Sequence, residues 1–183
     1  VGQSSLKANT TGGNNTAVGR IALFACTTGG YNTAVGNDCL KTLTTNSYCT
    51  AVGDYALANN TAQYMAAFGA QALGDNTTGE YNTGLGFRAL RLNTTGIRNT
   101  AGGHDSMYTN TTGNYNTAYG NYSLRLNTTA SYNTAIGDYA LASNTTGTQN
   151  CAVGGGGPLS GNTTGSYNNA LGSASLDANT TGS

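Results

Sequence analysis

The chain reads as an all-β protein, a parallel β-solenoid (β-roll) of about eleven 17-residue coils. Three observations carry this reading: a glycine that returns every 17 residues, a leucine locked four places behind it, and a strand-like phrase ahead of it. A fixed period along a whole chain marks a stacked array in which each unit buries its apolar surface against its neighbours.

The glycine stands at Gly2, Gly19, Gly36, Gly53, Gly69, Gly86, Gly103, Gly120, Gly137, Gly154 and Gly172. Two steps differ, 16 before Gly69 and 18 before Gly172. They fit a deletion and an insertion of one residue in a turn. Behind the glycine runs a predicted core ladder of Leu23, Leu40, Leu57, Leu73, Leu90, Met107, Leu124, Leu141 and Leu176, with Leu6 at its start. The residue before each leucine is small (Ala22, Cys39, Ala56).

Ahead of the glycine comes Tyr-Asn-Thr-Ala-Val, whose Thr, Val and Tyr favour a pleated strand with alternating faces. Tyr, Thr and Val then share one face, and Asn, Ala and Gly the other. Almost no large residue is tolerated on the Ala/Gly face. Either the core is thin there or that face meets another chain, so the sequence leads us to expect an oligomer. The phrases Thr-Thr-Gly and the repeating glycine supply turns and positive φ. No apolar period of 3.6 is sustained, which argues against helix. At ~4.8 Å per coil, eleven coils would form a rod of about 50 Å.

Residues 1–183 form one continuous array, which opens and closes in mid-phrase; we expect a segment of a longer protein. Seven basic and seven acidic side chains cancel. That balance disfavours nucleic acid as a partner, because phosphate binding needs excess cation. No apolar run approaches the ~20 residues of a membrane span.

The phrases Asn133-Thr134-Ala135-Ile136-Gly137 and Asp138-Tyr139-Ala140-Leu141 give the chain a family look. It resembles the repeat stalks of bacterial and phage tail-fibre-like proteins, which often precede a self-cleaving chaperone domain of the endosialidase type. More distantly, it is similar to the head repeats of trimeric autotransporter adhesins. The resemblance implies parallel β-coils, homotrimers, attachment to surfaces, and a location outside the cell or on a cell or virion surface. The 17-residue period is longer than is usual in the adhesin heads.

Chemistry is sparse. The single histidine, His104, occupies a position filled elsewhere by Asp54, Asp138 or Asn121, and no nucleophile and base can be assembled around it. The acids Asp38, Asp54, Glu80, Asp105 and Asp138 are scattered without a paired arrangement. Gly154–Gly157 lacks the Lys-Ser/Thr of a phosphate loop. Cys26, Cys39, Cys49 and Cys151 show no CxxC spacing, so no zinc site is expected. The first three lie within about two coils, where one disulfide or three small-residue substitutes both fit. Neither enzyme activity nor a cofactor or metal is expected.

Three rows remain as candidate surfaces. Tyr31, Tyr48, Tyr64, Tyr81, Tyr115, Tyr132 and Tyr167 lie five residues before the glycine, placed to stack on one another or on sugar rings. Asn9, Asn76, Asn93, Asn110, Asn127, Asn144, Asn162 and Asn179 each precede Thr-Thr, and Asn14, Asn59 and Asn121 also match Asn-x-Ser/Thr. All are N-glycan acceptors by sequence, and all fit a plain turn equally. Thr16, Thr33, Thr50, Thr83, Thr100, Thr117 and Thr134 form a third row. The expected role is a structural repeat segment of an extracellular fibre, filament or adhesin stalk that associates with itself as a homotrimer or end to end. The alternative is an ice- or glycan-binding solenoid that uses its Thr and Asn ladders.

Overall fold

A computed structural model describes residues 2–183. Its ten strands are β1 (Thr16–Val18), β2 (Thr33–Val35), β3 (Cys49–Val52), β4 (Met65–Phe68), β5 (Thr83–Leu85), β6 (Thr100–Gly102), β7 (Thr117–Tyr119), β8 (Thr134–Ile136), β9 (Cys151–Val153) and β10 (Asn169–Leu171). They form one parallel sheet in sequence order. Register is unbroken: Thr100 pairs with Thr117 and Thr117 with Thr134, Ala101 with Ala118 and Ala118 with Ala135. The protein is therefore a β-solenoid. Nine strand-to-strand steps at about 4.8 Å give a stack of roughly 43 Å. Among the described residues the ten phrases from Gly19 to Gly172 each carry a strand ahead of the glycine.

The strands are only three or four residues long because each is cut off by the repeating glycine. Gly137 shows why glycine is needed. Its φ is 125°, and a Cβ there would run into the backbone carbonyl of Gly154 in the next coil. Such a φ is rare for any residue with a side chain.

The core is thin, which resolves the choice left open for the Ala/Gly face. Ala34, Ala51, Ala67, Ala101, Ala118, Ala135 and Ala152 point inward and are fully buried. The leucines lie across from them. A Cβ placed on Gly84 would sit 3.3 Å from Leu73 Cδ1, so there is room for a methyl and nothing larger. Leu23, Leu40, Leu57, Leu73, Leu90, Met107, Leu124 and Leu141 are completely buried, whereas Leu176, with no coil stacked beyond it, is 50% exposed. Leu159 also lies in the ladder, fully buried.

Both irregular steps fall in turns. Between Gly53 and Gly69, Thr61 is followed directly by Ala62 where other coils have Thr-Thr-Gly. Asn60 and Tyr64 keep their stacked places regardless. After Gly154 the extra residue lies in the glycine run. Gly157 then bonds to the Asp138 carbonyl as Tyr139 does to that of Asn121, and the register is recovered before Leu159.

One feature of the backbone was not legible in advance. The core leucines have φ of 48–53°, and the ladder tyrosines 56–63°. A left-handed residue with a side chain costs on the order of 1–2 kcal/mol. Stacking holds it in place through its N–H. Leu124 donates forward to the Ala140 carbonyl at 2.9 Å, and Tyr132 donates backward to that of Asn114 at 3.1 Å.

Candidate functional site

Two asparagine ladders run inside the coil. In the first, Nδ2 of each Asn donates to Oδ1 of the Asn one coil earlier: Asn76 to Asn60, Asn93 to Asn76, Asn110 to Asn93, Asn127 to Asn110, Asn144 to Asn127 and Asn162 to Asn144, at 2.7–3.0 Å. The same nitrogen donates to a carbonyl three residues on in its own turn, as Asn110 does to Gly113. These six asparagines are fully buried. Their nitrogens carry no free access for a glycan in the folded array, which removes them from the acceptor set of the folded chain. Asn9, Asn14, Asn59 and Asn121 are exposed, and Asn179 is partly so.

The second ladder was not singled out from sequence. It consists of the strand-entry asparagines Asn82, Asn99, Asn116, Asn133 and Asn150, which are also buried. Each Oδ1 accepts the backbone N–H of the Asn one coil later: Asn99 to Asn82, Asn116 to Asn99, Asn133 to Asn116, at 2.8–3.0 Å. The clue available in the sequence was the fixed phase it shares with the buried alanine face.

The outer face of the sheet carries three rows. Thr16 is exposed and the rest of the Thr row is partly buried, and the hydroxyls of Thr83, Thr100, Thr117 and Thr134 make no hydrogen bond within the described residues. Beside it lies an apolar row in which Val18, Phe68, Tyr119, Ile136 and Leu171 are exposed. Gly102 interrupts that row for a reason: a Cβ there would strike the ring of Tyr119. The third row is the tyrosines. Tyr31, Tyr48, Tyr64 and Tyr81 stack in one run with centroids 5.1–5.5 Å apart and planes within 7°. Arg98 then takes the tyrosine's place, over the rings of both Tyr81 and Tyr115, and Tyr115 stacks on Tyr132. Rings stacked this way cover one another's faces, so the run offers mainly edges to a sugar. The Thr-Thr corner divides its labour. Thr94 and Thr111 donate their hydroxyls to the carbonyl one coil on, both at 3.1 Å, while Thr95 and Thr112 stay exposed.

Every charged side chain except Glu80 and Arg98 lies on the far side, between the repeating glycine and the first Asn ladder. Asp105 is buried there and gripped by Arg88, with Nε 2.8 Å from Oδ1 and a second nitrogen 2.6 Å from Oδ2. His104 sits between Phe87 and Tyr122. Its Nδ1 is 3.8 Å from Asp105 and makes no hydrogen bond. The ion pair here is that of Arg88 with Asp105, and the guanidinium is packed over the rings of Phe87 and Tyr108. Asp38 is likewise held by Arg20 and Lys41.

Cys26, Cys39 and Cys49 are buried free thiols, and Cys151 is a partly buried one. They occupy different places in the coil, and the disulfide considered among the first three is not formed. Burial pushes the Cys39 thiol up to about 12 and that of Cys49 up to about 11, and raises Cys26 as well. Among the described residues no group of three His, Cys, Asp or Glu could hold a metal ion, and no helix is long and apolar enough to cross a membrane.

Neither a protein-family model nor a curated protein nor a solved structure matches the chain. The functional reading therefore rests on the geometry above and on the repeat phrase.

Proposed function

We propose that the chain is a non-catalytic structural repeat segment of an extracellular fibre, filament or adhesin stalk, and that copies pack together as a homotrimer or end to end. The observation that carries this is the outer sheet face. Aliphatic and aromatic side chains are exposed along its whole length, while all charged side chains but Glu80 and Arg98 are gathered on the opposite side. Large apolar patches on a soluble surface mark interaction sites. The face measures roughly 43 Å by ~16 Å, or about 700 Å², close to the ~800 Å² per partner of a stable interface. The extracellular placement rests on the resemblance to tail-fibre-like stalks.

Native mass spectrometry with light scattering tests the association. A species near three times the 18.4 kDa chain supports a trimer, and a ladder of larger species supports a filament. A lone monomer at all concentrations rejects both.

A second reading is favoured by one observation, the row of outward Thr hydroxyls without hydrogen-bond partners among the described residues. Such a row is placed to bind ice or glycans. Changing Thr100, Thr117 and Thr134 together to Lys tests it. A folded variant that loses thermal hysteresis or glycan binding present in the parent supports this reading. Absence of both activities in the parent rejects it.

A further inference from the structure

The charged side of the rod contains a cleft whose origin is a gap in one row of the repeat. In the place after the core leucine the row reads Lys7, Phe24, Lys41, Ala58, Gly74, Arg91, Tyr108 and Arg125, then Ala142, Ser160 and Asp177 in the last coils. Its cations lie over rings: Lys7 over Phe24, Lys41 over Tyr55, and Arg88 beside it over Tyr108. At Ala58 and Gly74 the large side chain is missing in two successive coils. The gap leaves a cleft of about 300 Å³, at the lower end of the volumes that hold small ligands.

Its geometry follows from the register. Ala58 and Gly74 form the floor, and Lys41 and Arg91 close the two ends, three coils apart or about 14 Å. Tyr55 and Gln71 line one wall, and Asn59 and Asp75 the other. Asn59 donates to Asp75 at 3.2 Å. Both cations already have an acid: Lys41 lies 3.5 Å from Asp38, and Arg91 3.7 Å from Asp75. The lining itself carries two cations and one carboxylate, and Asp38, outside the lining, answers Lys41; each cation thus already faces an acid, which disfavours a phosphate or another strong anion. It offers two side-chain amides, a carboxylate, an ammonium and a guanidinium, with one ring at the edge. The amide of Gln71 makes no hydrogen bond within the described residues.

We propose that this cleft binds a neutral saccharide of about two rings, its hydroxyls bonded to Asn59, Gln71, Asp75 and Arg91, with Tyr55 as its apolar wall. The site is separate from the sheet face and stands whether or not that face binds copies of the chain.

The repeat itself supplies the test. The backbone at Gly74 has ordinary φ, its nearest obstacle to a Cβ is the Gln71 carbonyl at 3.2 Å, and its N–H bonds to Gln71 as that of Arg91 does to Arg88. Gly74→Arg thus restores the row and fills the cleft while keeping the coil. The measurement is saturation-transfer NMR on the full chain with cellobiose, maltose, lactose and diacetylchitobiose, alongside circular dichroism of both proteins. We expect transfer to at least one disaccharide, at millimolar affinity, reduced tenfold or more by Gly74→Arg. Ala58→Lys, the other filling variant, should act alike. No transfer from any of the four, or transfer that survives in folded Gly74→Arg and Ala58→Lys, would overturn the proposal.

Discussion

Two stretches of the same rod are built on different cores. From Asn60 to Asn162 the first Asn ladder is continuous, and from Asn82 to Asn168 so is the second. Between Gly19 and Gly69 the repeat keeps its shape but both ladders are interrupted: Cys26 and Leu43 replace Asn in the first and Cys49 and Met65 in the second, while Asn32 and Asn60 remain. Both stretches are buried at these positions, save for Asn168, which is partly so. The difference teaches that backbone pairing sets the coil, while the interior is filled either by amides that bond along the axis or by apolar side chains that need no partner. Mixing the two is what costs, because a buried polar group without a partner loses its solvation with nothing in return.

The sharpest way to break the comparison is to exchange one residue across it. Leu43 demonstrates that leucine fits the first-ladder slot, so Asn110→Leu is not a problem of volume. It strips a donor from Asn93 Oδ1 and from the Gly113 carbonyl, and an acceptor from Asn127 Nδ2. At about 1–3 kcal/mol for each buried group left short, we expect a loss of roughly 3 kcal/mol or more by urea denaturation. The reverse change, Leu43→Asn, should cost about 1–2 kcal/mol, since apolar transfer is lost but Asn60 stands in the next coil as a partner. Equal losses for the two would show that the ladders are ordinary filler.

Alkali separates the stretches next. Below pH 9 the folded and unfolded chains both hold Cys39 and Cys49 protonated, and these thiols do not move stability. Above it the unfolded chain releases their protons, while the folded chain keeps them until about pH 11 for Cys49 and about 12 for Cys39. The folded state then binds more protons, so stability falls as pH rises through that window. Melting temperature should drop more steeply above pH 9 in the parent than in a Cys39→Ala, Cys49→Ala variant. Parallel slopes would mean that the thiols are not held neutral by the fold.

How much of this was legible beforehand follows from the same residues. Gly137 and its equivalents announced the period, Leu124 and its equivalents the core, and Thr134-Ala135-Ile136 the strand, because each is tied to one place in the coil by backbone geometry or burial. The interior role of Asn110 and Asn116 was hidden. Asn before Thr-Thr looks like an exposed turn or a glycan acceptor, and only the stack brings one amide within reach of the next. Left-handed φ at Leu124 and Tyr132 was equally hidden, since nothing local favours it. The cleft at Gly74 needed both the row and its gap to be seen in space.

The smallest expected effect lies on the surface, where the comparison turns on stacking. Tyr48 lies between Tyr31 and Tyr64 and makes two ring contacts. Tyr132 stacks on Tyr115 alone, because Gln149 holds the next place in its row. Aromatic pairs contribute about 0.5–1.5 kcal/mol beyond area, and exposure puts both sites near the low end. Tyr48→Leu should therefore cost roughly 1 kcal/mol, and Tyr132→Leu about half of that, because leucine keeps the apolar bulk and removes only the ring contact. Chemical denaturation of the two variants side by side checks the ratio. If the costs are equal, the rings are held by their backbone bonds, and the stacking is a consequence of the coil rather than a cause of it. If Tyr48 costs about twice as much, the row adds stability in proportion to its unbroken length, and the four-ring run reinforces the stretch in which both amide ladders are interrupted.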